Sequence, residues 1–203
     1  QFGVDIDTTG KELTEAEQTA VTAAMQVGID IKKKRFGSAS QLGEFDRKDP
    51  NAIYVSEELD STGTSNADKY HGVVAHEMLH SLRQTDEPAW SRIAAAIEEV
   101  DPVGLKAAGD NYVKALEKLA AAGKTEYGVK AQKIRGDEDL FRNEAVSNYV
   151  QKNIDNRIFI EKLANMRTKK GARSLFDRVF NALKRVLAPL RSKDTLADRI
   201  LKV

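Results

Sequence analysis

Val21, Ala24, Met25, Ile29 and Ile31 recur at roughly helical spacing, and Thr14 followed by Glu17 makes a capping-box start ahead of them. The pattern predicts a helix over 14–35, with Gly37 beyond its end. Residues 38–66 break that period and are rich in Gly, Ser, Asp and Asn. Within them "AIYVS" (52–56), bounded by "DPN", reads as a strand, and 42–45 as a weaker partner strand. From Asn66 onward the helical period returns. The segments run over about 67–84, 87–100, 102–122, 125–134, 137–152, 154–167, 172–191 and 194–202. Asp86-Glu87-Pro88 marks one of the starts, because Asp caps a helix and Pro suits its first turn. The expected fold class is therefore α+β, predominantly helical, with a small sheet. "TKKGARS" (168–174) is the candidate hinge between a domain over 1–168 and a C-terminal helical segment over 169–203.

Composition narrows the chemistry. The 203 residues suffice for one compact domain with an appendage. A net charge of +1 gives the whole chain no pull toward nucleic acid or membrane. Cysteine is absent, which excludes disulfides, thiolate metal ligands and cysteine nucleophiles. No apolar run approaches the roughly 18 residues a membrane span needs. There is no signal-peptide pattern, so a soluble protein is expected. The chain begins at Gln1 rather than Met, as a processed product or a piece of a longer polypeptide would.

Charge is less even locally. "ARSLFDRVFNALKRVLAPLRSK" sets an apolar stripe from Leu175 to Leu190 among arginines and lysines. Docking of that stripe on the domain is expected, with a partner, a neighbouring domain or an anionic membrane as alternatives. "IKKKRFG" (31–37) reads as a solvated helix end, where cations are favoured.

The densest chemistry lies in "VVAHEMLHSLRQTDEPAW" (73–90), which carries His76, Glu77 and His80 as H-E-x-x-H. On a helix, positions i and i+4 share a face, so His76 and His80 can aim at one cation. Glu77 sits one residue round, where it can hold and deprotonate a water. Val73, Val74, Met78, Leu79 and Leu82 supply the apolar surface that would fix this helix. The remaining histidine, His71, is turned away from that face and reads as a polar first-turn residue.

Such a site needs a third protein ligand. Asp86, six residues after His80, stands where H-E-x-x-H-x-x-G-x-x-[H/D] sites have theirs, but Arg83 replaces the glycine and Asp86 is also a good helix cap. Glu144, in "LFRNEAVSNYV", would reach the motif if Leu140, Val146 and Tyr149 or Val150 face a core. Asn148, one turn on, would then accept a hydrogen bond from a liganding histidine. The reading adopted takes His76, His80 and Glu144 as ligands, Asp86 as the alternative, and Glu138 and Asp139 as acidic first-turn residues.

On these motifs the sequence resembles the zincin metallopeptidases of the Glu-ligand type, the gluzincins. "HEMLH" matches their first motif, and "NEAVSN" (143–148) is similar to N-E-x-x-S-D, with Asn148 in place of Asp. A more diffuse likeness over 70–190 is to zincin-like peptidase domains in polyvalent proteins of phages and conjugative elements. The resemblance implies a Zn2+ endopeptidase with Glu77 as general base and a protein or peptide substrate. It also implies a neighbour of other domains in a larger polypeptide, carried in a virion or delivered into a cell as an effector. It further implies that the strand "AIYVS" binds substrate at its edge. The alternative is a non-catalytic or latent zinc-binding interaction module. For the oxyanion that hydrolysis builds, Tyr149 is the expected donor, with Tyr54, Tyr70, Tyr112, Tyr127 and Arg83 left open.

Overall fold

A computed structural model describes residues 13–26, 28–38 and 41–153. Within them lie six helices and three strands, an α+β arrangement dominated by helix. In chain order these are α1 (Glu15–Gln26), β1 (Asp30–Lys34), β2 (Gly43–Phe45), β3 (Ala52–Ser56), α2 (Thr64–Thr85), α3 (Glu87–Val100), α4 (Pro102–Ala121), α5 (Thr125–Gly136) and α6 (Glu138–Asn153). The segments expected at 154–167, 172–191 and 194–202, and the hinge at 168–174, lie outside the described residues.

The long first helix is half right. α1 begins as expected, with Glu17 N bonded to Thr14 Oγ1 and Thr14 N to Glu17 Oε2. It stops at Gln26, and Gly28 takes φ +76°, a left-handed turn that costs glycine nothing. Ile29 and Ile31 then alternate into the core with period two, and Asp30–Lys34 is a strand rather than a helix end. Its lysines pair with acids: Lys32 with Asp49, Lys33 with Glu17 and Lys34 with Glu44.

The sheet order is β1-β3-β2. β1 runs parallel to β3, pairing Ile31 with Ile53, and β2 runs antiparallel, pairing Gly43 with Val55 and Phe45 with Ile53. "AIYVS" is therefore the middle strand. Both its edges are already bonded, so it cannot take up an extended substrate as expected; β1 and β2 are the edge strands of the described sheet.

α2 is the central element. Tyr70 through Leu79 are buried on every face, the pattern of a helix enclosed by its neighbours. His71 is fully buried, and its Nε2 contacts Ala16 O at 3.1 Å, tying α2 to α1; the expectation of an ordinary first-turn polar residue fails there. α6 lies against α2 so closely that a Cβ on Gly72 would stand 2.9 Å from Gln151 O. Asp86 and Asp101 cap α3 and α4 through the amides of Ala89 and Gly104, each at 2.9 Å. α4 and α5 form a hairpin with a small core of its own, Val113, Leu116, Ala131 and Ile134. No helix among the described residues is long and apolar enough to cross a membrane.

Candidate metal centre

α2 delivers His76, Glu77 and His80 to one side, and α6 brings Glu144 opposite. All four are largely buried, because the two helices that carry them are buried. His76 Nε2 and His80 Nε2 are 3.0 Å apart, and Glu144 Oε2 is 3.8 Å from each. A point among these three atoms lies about 2.1 Å from each of them, the distance at which zinc binds nitrogen and oxygen. Glu144 Oε2 is buried with no hydrogen-bond partner, a costly state for a carboxylate unless a cation is its partner. The donor set and its spacing fit a divalent cation, and His76, His80 and Glu144 form a buried group able to hold a metal ion.

The electrostatics agree. Burial, then the Lys130 charge, pushes the His76 imidazole down to about 4. Burial, then His76, holds His80 well below its ordinary value. Burial therefore favours the neutral form of both rings, each with one lone pair whose place depends on the hydrogen bond the other nitrogen makes. Burial, then Glu144, raises the Glu77 carboxyl to about 8. Burial raises Glu144 as well, against the pull of Lys130 and Arg47. Two carboxyls and two imidazoles thus sit where their charged forms are disfavoured, and a bound cation reverses that for the carboxylates.

The helper of His80 is Asn143, not Asn148. Asn143 Nδ2 lies 3.0 Å from His80 Nδ1, while Asn143 Oδ1 is buried without a partner. Turning that amide about its axis lets Oδ1 accept from Nδ1–H, satisfies the orphaned oxygen and leaves the Nε2 lone pair to the cation. Asn148 Nδ2 instead donates to Glu144 O within α6, at 2.8 Å. The sequence signal for Asn143 is its place immediately before Glu144 in "NEAVSN".

Of the other expected residues, Asp86 caps α3 and stands outside the His76–His80–Glu144 group. Tyr149 does not face the site: its hydroxyl donates to Asp101 Oδ2 at 2.9 Å, across to the start of α4. Asp139 pairs with Arg83. The group opens into a cavity of about 1020 Å³ whose walls include β2, Tyr112, Tyr127 and Lys130. β2 comes so near that a Cβ on Gly43 would stand 2.7 Å from Glu77 Oε1. Compared with protein-family models, curated proteins and solved structures, the chain matches none.

Proposed function

We propose that this chain is a zinc-dependent peptide hydrolase of the zincin type, with His76, His80 and Glu144 as ligands and Glu77 as general base. The observation that carries the reading is the partnerless Glu144 oxygen 3.8 Å from two imidazole nitrogens that share one helix face. Zinc bound there supplies a Lewis acid and makes water a better acid. Glu77 accepts the proton of the attacking water and delivers it to the leaving amine. Asn143 fixes the His80 ring, and burial keeps both imidazoles unprotonated. The outer edge of β2, in the wall beside Glu77, is where an extended peptide would add as a further strand.

Zinc rather than another cation is favoured by the donor set itself, two imidazoles and one carboxylate. A role inside a larger phage, mobile-element or effector polypeptide belongs to this same reading. The test is Glu77→Gln. Zinc stoichiometry stays as in the wild type, and cleavage of a peptide library falls by about 10²–10⁴-fold. Wild-type cleavage rates in that variant reject the mechanism.

A further inference from the structure

The wall facing the metal group carries a second polar pair. Lys130 on α5 donates from Nζ to the Tyr112 hydroxyl on α4 at 2.8 Å, and both line the cavity that His76, Glu77, His80 and Glu144 line. Accepting from an ammonium leaves the phenol proton for some other acceptor, and none receives it among the described residues. Lys130 keeps two further N–H bonds with no described partner. No carboxylate among the described residues comes within 4.0 Å of it, although its charge acts on Glu77 and Glu144. Of the other acids on the wall, Glu44 pairs with Lys34, Asp139 with Arg83 and Asp137 with the amide of Leu140, while Glu126, one turn before Lys130 on α5, makes no ion pair with it.

We propose that Lys130 and Tyr112 bind a carboxylate of the substrate, so that the site takes peptides with an acidic group next to the bond presented to the metal group. An N–H and an O–H donor 2.8 Å apart suit the two oxygens of one carboxylate. Lys130, Tyr112, Glu77 and Glu144 line one cavity, which that part of a ligand would enter. The surroundings support the pairing. The cavity wall disfavours the Lys130 charge, but Tyr112 and Glu144 outweigh it and hold the ammonium above its ordinary value. Burial, then Glu144, raises the Tyr112 phenol, which therefore remains a donor. An Asp or Glu side chain and a C-terminal carboxylate offer the same chemistry. The inference rests on the hydrolase reading only for what happens after binding.

Binding is measured by NMR titration of the full-length Glu77→Gln chain with zinc present, which blocks turnover. One pair of probes is acetyl-Gly-Asp-Gly-amide and acetyl-Gly-Asn-Gly-amide; the other is acetyl-triglycine with a free and an amidated C-terminus. In at least one pair the acid binds about tenfold tighter than its amide, and which pair it is identifies the source of the carboxylate. Adding Lys130→Met removes that preference, and adding Tyr112→Phe reduces it. Lys130 is exposed on the cavity wall, so its replacement leaves the melting temperature near that of the parent. Equal affinities for acid and amide in both pairs, or a preference that survives Lys130→Met, overturn the proposal. A parallel cleavage assay of the zinc-loaded wild type on peptides with Asp or Glu against Asn or Gln separates the two readings. If nothing is cleaved, the hydrolase reading fails while the titration still decides this one.

Discussion

On one wall of the cavity α2 and α6 are buried through their middle turns, and the side chains facing it are held from behind. On the other, α4 and α5 make a hairpin around four buried residues and present Lys130 from an exposed position. The difference follows from what each wall has to do. A cation needs its ligands within a few tenths of an ångström, which demands rotamers locked by packing and by partners such as Asn143. Holding one end of a peptide tolerates more freedom, and a hairpin with a small core has that freedom at lower local stability. The metal wall is where a small change should break the chemistry, and the hairpin wall is where a large change should leave it intact.

The strongest challenge to that contrast is Gly43→Val. A side chain there must enter the space of the Glu77 carboxylate and of Val73 Cγ1, each within 3 Å of a Cβ. Displacing the base by about 1 Å should lower kcat by about 10²-fold, with zinc affinity unchanged. Peptide cleavage and zinc calorimetry on the same preparation check both halves. Next comes Asn143→Ala, which removes the partner of His80 Nδ1. Zinc affinity should fall by about 10–100-fold, read in competition with a chelator. Unchanged affinity would mean that burial alone orients the ring.

The smallest effect on the site is expected from Ile134→Ala, in the hairpin core at 1 % exposure. Stability should drop by about 2–4 kcal/mol in denaturant titration, and hydrogen exchange should quicken along α4 and α5. Zinc affinity should change by less than about threefold, since distant sites behave independently. A large loss of zinc binding in this variant would show that the two walls are one unit.

The same contrast decides what is legible in the chain. H-E-x-x-H on an apolar helix commits two rings to one face by geometry alone, and the need for a third ligand leads to Glu144. The cap Asp86 and the strand at 52–56 are written in local residue types. β1 is not, because Ile29 and Ile31 satisfy a helical period as well as an alternating one; only Gly28 ahead of them and the pairing with β3 settle it. The expectation for Tyr149 fails on geometry. Five residues past Glu144 it lies about 140° round α6 from that carboxylate, so helix geometry already aims it away, and the packing of α4 gives its hydroxyl Asp101 as partner. The pairing of Lys130 with Tyr112 depends on how α4 and α5 meet, which no spacing along the sequence encodes.

A cation held by His76, His80 and Glu144 underlies every step proposed for this site. Anomalous scattering at the zinc absorption edge, from crystals of the zinc-loaded chain, tests it directly. A single peak about 2 Å from His76 Nε2, His80 Nε2 and a Glu144 oxygen is the result predicted. With zinc in excess, density that leaves this group empty, or a peak ligated by Asp86 in place of Glu144, contradicts it.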